Sequence, residues 1–207
     1  MARTAEPAWS RLARIYDWQL VLERRPLGTL LAMLAITESD RLLDVGTGTG
    51  AVLRQLREHG ARPARVVGID PSSEMLSRAE RAVGPETELV RAHATALPFV
   101  DASFDVATCA YLLHLLERPE RAAVLREIER VLTPGGRLGL VTIAPPIGRL
   151  SRAASWPLRA VARRSRGAAA GLRPLDPRGE LEPPFEVKAT RRVAFGYPSL
   201  CVAARRR

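Results

Sequence analysis

The chain has 207 residues, of which 46% are hydrophobic and 26% charged, values typical of a globular protein with one domain-sized core. No apolar run reaches the roughly 18 residues that a transmembrane helix needs, and the N-terminal residues lack the apolar stretch of a signal peptide. The two cysteines suggest neither a disulfide framework nor a metal site. These features lead us to expect a cytoplasmic protein without a metal centre.

The net charge of +10 is unevenly distributed along the sequence. Residues 130–175 contain nine arginines and no acidic residue, whereas the rest of the chain is almost neutral. Around Trp156 the apolar residues have helical spacing, with most arginines off the apolar stripe. Such a helix suits contact with an anionic membrane surface or an anionic substrate, and a solvated basic face is the simpler alternative. The chain has no recognisable RNA- or DNA-binding motif, so we expect no nucleic-acid partner.

Two helical segments, residues 9–24 and 27–35, precede the first strand in the predicted order of elements. From there, apolar strands alternate with amphipathic helices, which is typical of right-handed βαβ units and a parallel sheet. A turn at Thr133–Gly136 leads into the fifth strand, and a short turn at Gly196–Pro198 makes the last two strands antiparallel. The predicted strands are residues 42–44, 65–70, 88–92, 104–110, 137–143, 186–194 and 199–204, with helices at 51–60, after Pro71 and at 120–132.

The most informative stretch is the turn after the first strand. Three alternate glycines at residues 46–50 follow Asp44 and precede a helix. Such a turn carries almost no side chain, so a ligand can approach the backbone N–H groups at the helix start. The spacing also fits the dinucleotide pattern, with Asp70 at the distance of a ribose-binding acid. Asp44 argues against a dinucleotide, because its carboxylate would repel a pyrophosphate but would suit a cationic ligand.

Four stretches resemble the motifs of class I S-adenosylmethionine (SAM)-dependent methyltransferases. They are Leu42–Gly50, Gly68–Leu76, Leu97–Asp105 and Arg130–Leu138. The Ala-x-x-Tyr-Asp element at Ala13–Asp17 is similar to one in the small-molecule subgroup that includes the ubiquinone- and menaquinone-biosynthesis methyltransferases. The resemblance covers residues 42–141, close to half of the chain.

This resemblance implies a Rossmann-like, doubly wound α/β fold with a seven-stranded sheet. The implied strand order is 3-2-1-4-5-7-6, with strand 7 antiparallel and helices on both faces. Residues 1–207 would form a single methyltransferase domain. Its parts would be N-terminal cap helices in 1–38, a SAM-binding core in 39–143, an arginine-rich substrate or cover segment in 144–183 and a C-terminal β-hairpin in 184–207.

The implied function is transfer of the SAM methyl group to a small acceptor that is quinone-, phenol- or lipid-like. An alternative is a catalytically inactive SAM-binding protein with a regulatory role. A nicotinamide-dependent oxidoreductase is the other alternative, which Asp44 disfavours. The arginine-rich segment would add contact with an anionic membrane or substrate, and with it a membrane-peripheral location.

The resemblance also assigns residues to the SAM site. Asp70 would accept hydrogen bonds from both ribose hydroxyls, and capping of the next helix is a structural role compatible with that one. Asp44 would face the methionine end of SAM. His93 stands where the family usually has an acid that binds adenine, so it is either an adenine contact or a surface histidine. The expected SAM contacts are Asp44, Gly46, Thr47, Gly48, Gly50, Asp70, Pro71, His93, Ala94 and Cys109.

Three residues are candidates for the acceptor side of the site. His114 follows the fourth strand and would act as a general base if the acceptor is a hydroxyl, an enol or a carbon acid, although helix packing would also explain it. Tyr16 and Asp17 would close the site from the N-terminal helix, or would only belong to an amphipathic helix. Because methyl transfer is a one-step displacement, positioning is expected to supply most of the catalysis.

Overall fold

The computed structural model of the protein describes residues 13–146, 173–194 and 198–207, and of residues 13–22 the backbone alone. The helices α1 to α5 are Ala13–Leu34, Ala51–Glu58, Ser73–Ala82, Arg118–Val131 and Arg178–Leu181. The strands β1 to β7 are Arg41–Val45, Arg65–Asp70, Thr87–Arg91, Phe104–Ala110, Leu132–Ile143, Phe185–Val193 and Ser199–Arg206. A short 3-10 helix, Leu113–Leu115, follows β4. None of the described helices combines the length and apolarity needed to cross a bilayer.

The strands form one sheet in the order β3-β2-β1-β4-β5-β7-β6. Strands β1 to β5 pair in parallel, whereas β7 lies between β5 and β6 and is antiparallel to both. The predicted α/β fold and strand order are therefore confirmed. Since the carboxyl ends of parallel strands meet at one edge, the turns after β1, β2 and β4 lie next to each other there.

Both faces of the sheet are covered by helices, as the apolar composition of the central strands requires. Leu42 faces the cluster formed with α1 and α2, and its neighbour Leu43 faces the cluster formed with α4. This alternation repeats in β4, where Val106 and Ala107 belong to opposite clusters. Burial on both sides fixes the register of the strands, and with it the positions of the turns at the carboxyl edge.

The N-terminal region corrects one prediction. Instead of two helical segments, the described part is one continuous helix, α1, which passes through Pro26. Residues C-terminal to the proline supply a buried apolar stripe, of which Leu30 is fully buried against the sheet. The Cys201 thiol of β7 donates a hydrogen bond of 3.3 Å to the Pro26 carbonyl. Packing against β5 and β7 thus holds the helix together where propensity alone predicts a break.

The predicted turn at Thr133–Gly136 forms part of β5 rather than preceding it. Leu132 already pairs with Phe104, and Arg137 pairs with Val106, so the residues between them bulge from the ladder. Gly135 has a φ of 76°, which a residue with a side chain rarely adopts. The turn chemistry was therefore predicted correctly, but the start of the strand was placed five residues late.

Several predicted features lie outside the described residues. These are the side chains of Tyr16 and Asp17, the turn residues 195–197, and residues 147–172 with Trp156 and six of the nine arginines. The other three arginines of that stretch are described, and each pairs with a carboxylate. Arg130 contacts Asp101 and Glu127, Arg137 contacts Asp40, and Arg173 contacts Glu117.

Candidate functional site

The glycine turn forms the floor of the candidate site. Gly46, Gly48 and Gly50 all have positive φ angles, of 72°, 54° and 78°. A Cβ atom on Gly46 would lie 2.9 Å from the Leu112 side chain, whereas one on Gly48 would have no other atom within 4 Å. A residue with a side chain would therefore not fit at Gly46, because the loop after β4 packs closely against it. Gly48 leaves open space directly above the backbone, where a ligand can approach it.

Asp44 lies at the end of β1 directly below this turn, with 1% of its surface exposed. The Thr108 hydroxyl donates a hydrogen bond of 2.7 Å to Asp44 Oδ1. The other oxygen, Oδ2, has no hydrogen-bond partner among the described residues, and neither has the buried Thr47 hydroxyl. Burial raises the pKa of Asp44 to about 6, against the opposing effects of the Thr108 hydrogen bond and of the nearby Thr47 hydroxyl. The site thus holds a buried carboxylate with one oxygen available to a donor or a cation.

Asp70 ends β2 and is held by the backbone on both sides. Gly48 N–H donates to Asp70 Oδ2 at 3.0 Å, and Ser72 N–H donates to Oδ1 at 2.9 Å. The residue that caps α3 is Ser72, whose hydroxyl accepts a hydrogen bond from Met75 N–H. The capping role predicted for Asp70 is therefore wrong. Each carboxylate oxygen retains a lone pair, so two further donors can be accepted.

The loop after β3 carries the residues predicted to face adenine. His93 is exposed and pairs with Ala96 in a single β-bridge, and Ala94 is half-buried. The loop is held from below by α4, because Glu127 accepts a hydrogen bond of 2.7 Å from Leu97 N–H. Arg130 donates to the carbonyls of Leu97 and Phe99 at 3.0 and 2.7 Å. Pro71 is exposed at the start of the neighbouring α3.

His114 and Tyr111 lie in the loop after β4, at the same edge of the sheet. His114 is buried, with 6% of its surface exposed, and its ring meets the Tyr111 ring edge-on at a centroid distance of 6.1 Å. Tyr111 has a φ of 55°, a left-handed conformation that is unusual for a bulky residue. Its hydroxyl and the buried Ser199 hydroxyl of β7 are 2.8 Å apart. Cys109, just before this loop, is fully buried, and burial together with the Asp44 charge raises the pKa of its thiol.

Sequence reasoning missed three residues of this edge. Thr108 could have been found, because it is the only hydroxyl residue in an otherwise apolar stretch of β4 and the parallel register places it beside Asp44. The Tyr111–Ser199 contact joins residues 88 positions apart. No local pattern signals that contact or the left-handed backbone at Tyr111.

The composition of the site fits SAM better than a dinucleotide. The two carboxylates of Asp44 and Asp70 flank a turn that has open space above Gly48. No described basic side chain is bonded to either carboxylate, so a cationic ligand would supply the missing positive charge, whereas a pyrophosphate would add two negative charges. The unpartnered oxygens of Asp44 and Thr47 can accept hydrogen bonds from an ammonium group.

Comparisons with known proteins agree with this geometry. Residues 42–136 match the family model described as a methyltransferase domain. Demethylmenaquinone methyltransferase of Thermus thermophilus is 43% identical over 109 residues, which cover 51% of this chain and 48% of the relative. The 27-O-demethylrifamycin SV methyltransferase of Amycolatopsis mediterranei is 40% identical over 116 residues, covering 54% and 41%. The chain therefore spans about half the length of these curated relatives.

Among solved structures, a SAM-dependent methyltransferase of Methanosarcina mazei superposes with a TM-score of 0.67 at 24% identity, covering 83% of this chain and 94% of the other. At that identity the likeness concerns the fold. The fold and the glycine turn with its two carboxylates define a class I SAM-dependent methyltransferase architecture. Residues 42–136, slightly less than half of the chain, are similar to the methyltransferase domain family, and SAM is the cosubstrate that this class uses.

Proposed function

We propose that this chain binds SAM at the glycine turn and transfers its methyl group to a small acceptor. The observation that carries the proposal is the buried, half-satisfied carboxylate of Asp44 beneath the open turn. The curated relatives support the acceptor class, because their names specify demethylmenaquinone and a demethylated rifamycin. Both suggest an acceptor with a hydroxyl or ring carbon on a largely apolar body.

In this proposal each site residue has a role that its contacts allow. Asp70 accepts the ribose hydroxyls, while the backbone donors of Gly48 and Ser72 hold its carboxylate in place. Asp44 and Thr47 bind the charged methionine end through the oxygens that lack a partner among the described residues. The Ala94 N–H and the side chain of the exposed His93 bind the edge of the adenine ring. When bound, SAM supplies a methyl group activated by its sulfonium charge.

The methyl acceptor is bound by residues of the loop after β4 and of α1. His114 takes the proton from an acceptor hydroxyl, and Tyr111 restrains the imidazole through its edge-on ring contact. In this proposal Tyr16 and Asp17, which belong to α1, close the site. Holding acceptor and donor in line supplies most of the rate enhancement, since a displacement requires little more from the protein.

The donor site is tested by calorimetry with SAM on Asp70→Ala. Loss of charge-assisted hydrogen bonds to the ribose costs about 1.5–3 kcal/mol, so we expect SAM affinity to fall at least about tenfold. Ser72→Ala is the matched control, because it removes the cap of α3 but no proposed ligand contact. An Asp70→Ala affinity within about twofold of the wild type would refute the ribose assignment.

Turnover is tested separately by mass spectrometry, with formation of a methylated product from quinone and phenol acceptors as the readout. His114→Ala is expected to lower the rate constant on a hydroxyl acceptor by about a hundredfold or more while leaving SAM affinity unchanged. Full activity of that variant would exclude a base at this position. Tight SAM binding with no product from any acceptor would contradict the transfer activity itself.

A further inference from the structure

A cavity lies at the opposite edge of the sheet from the glycine turn. Its volume is about 360 Å³, within the range of small-molecule sites. It is bounded by the end of α1 and by β7, and its apolar walls include Met33, Leu34 and Ala203. Arg137, at this edge, is six residues of β5 away from Ile143 at the site edge, a distance of about 20 Å in an extended strand.

The rim of this cavity carries three cations, Arg137, Lys188 and Arg205. Arg137 and Arg205 are direct cross-strand neighbours in the antiparallel β5–β7 pair, a position where like charges are unfavourable. Arg137 is compensated by a salt bridge to Asp40 and by hydrogen bonds to the carbonyls of Leu34 and Ala35. The excess positive charge therefore lies on the other two side chains.

Lys188 and Arg205 share one neighbouring carboxylate, that of Glu186. Glu186 pairs with Lys188 at 2.6 Å and lies opposite Arg205 in the β6–β7 ladder. Its pKa is lowered, chiefly by Lys188 and to a smaller extent by Arg207 and Arg205. Within the described residues Arg205 makes no hydrogen bond or salt bridge of its own. Glu186 is thus one exposed carboxylate among Lys188, Arg205 and Arg207, which leaves a local positive charge beside an apolar wall.

We propose that this cavity binds a small amphiphilic anion, a carboxylate on a short alkyl body. Arg205 and Lys188 pair with the carboxylate, and the alkyl body lies against Met33, Leu34 and Ala203. This combination of a charged rim and apolar walls is what such a ligand requires, since either part alone provides little binding free energy in water. The site is remote from the glycine turn and does not depend on the proposed methyl transfer.

Titration calorimetry with decanoate, below its micelle concentration, tests the proposal. We expect one saturable site on the wild-type chain, with acetate and 1-decanol binding at least about tenfold more weakly because acetate lacks the alkyl body and the alcohol of equal length lacks the carboxylate. Arg205→Glu should weaken decanoate binding by about tenfold or more. Arg81→Glu is the matched control, because this exposed arginine of α3 has the same charge change and no bonded partner among the described residues.

A second variant, Met33→Gln, tests the apolar wall and should weaken decanoate binding while the circular dichroism spectrum stays unchanged. SAM affinity is measured on all variants and should be unaffected, which separates this site from the donor site. The absence of saturable decanoate binding would overturn the proposal. Equal affinity of wild type and Arg205→Glu, or equal affinity for 1-decanol and decanoate, would also overturn it.

Discussion

At the scale of single residues, burial of the Asp44 carboxylate lowers the stability of the ligand-free protein. Its pKa rises from 3.8 to about 6 because burial disfavours the charged form. A carboxyl group with a raised folded-state pKa binds its proton more tightly in the folded protein, so the free energy of unfolding decreases as the pH rises from 3.8 to 6. Above pH 6 the penalty stays constant at about 3 kcal/mol.

Asp44→Asn should therefore stabilise the ligand-free protein. We expect the free energy of unfolding at pH 8 to increase by about 1–3 kcal/mol, since the amide oxygen can still accept from Thr108 and no charge is buried. Urea unfolding at pH 8 and at pH 4 measures the effect, which should shrink at the lower pH. Asp105→Asn provides the contrast, because Arg41 holds the pKa of Asp105 at about 2 and loss of that charge should destabilise. A destabilised Asp44→Asn protein at pH 8 would contradict the penalty.

The same carboxylate should make SAM affinity depend on pH. Only the ionised form attracts a cationic ligand, so the dissociation constant should be constant above pH 7 and increase as the pH falls through 6. The limiting slope is about tenfold per pH unit. Calorimetry from pH 5 to pH 8 gives the profile, and Asp44→Asn reveals any titration of the ligand itself. A wild-type profile parallel to that of the variant would mean that Asp44 does not face the charge of SAM.

At the scale of elements, α4 acts as a support for the loop after β3. Glu127 and Arg130 lie one turn apart on α4 and together bind the backbone of Leu97 and Phe99. Arg130 also pairs with Glu127 and Asp101, which raises its pKa and lowers that of Glu127. The loop carrying His93 and Ala94 is thus positioned by a helix that supplies none of the proposed ligand contacts.

Arg130→Met should loosen this loop without removing a ligand contact. We expect SAM affinity to fall by about fivefold, corresponding to about 1 kcal/mol, with the rate constant at saturating SAM unchanged. Arg126→Met on the same helix is the control, since this exposed arginine has no bonded partner among the described residues. A lowered rate constant with unchanged affinity would place Arg130 in a different role.

At the scale of the whole molecule, α1 packs against the sheet where β5 has a glycine. A Cβ atom on Gly139 of β5 would lie 2.6 Å from a Leu34 methyl and 3.1 Å from a Leu30 methyl. Gly139→Ala should therefore lower the free energy of unfolding by about 1–3 kcal/mol through overpacking. Thermal unfolding measures this loss of stability, and Gly179→Ala, with no atom within 4 Å of the added methyl, should not lower the melting temperature. Equal melting temperatures of the two variants would contradict close packing of α1.

The sequence predicted most of the sheet because its strands are apolar, short and bounded by turn residues. β2 and β4 were predicted with the bounds that the structure has. The exceptions arise where distant packing outweighs local preference. Pro26 suggests a break in α1, but the buried stripe beyond it continues the helix against β5 and β7.

The candidate site was predictable to the extent that it lies on one stretch of chain. Asp44, the glycine turn and Asp70 are read from short motifs, and the structure brings them together through the Gly48–Asp70 hydrogen bond. The left-handed Tyr111 and its contact with Ser199 depend on β7, so no local pattern reveals them. The cationic cavity likewise exists only because α1, β6 and β7 meet.

The position of β7 between β5 and β6 has a consequence for synthesis of the protein. β6 leaves the ribosome before β7, yet it has no strand to pair with until β7 has joined β5. During that interval β5 presents an unpaired edge with apolar residues such as Leu138 and Leu140, the kind of edge on which chains aggregate. The nascent chain is thus at greatest risk after the glycine turn and Asp70 have been made, and the hazard ends only when residues 199–206 have been added.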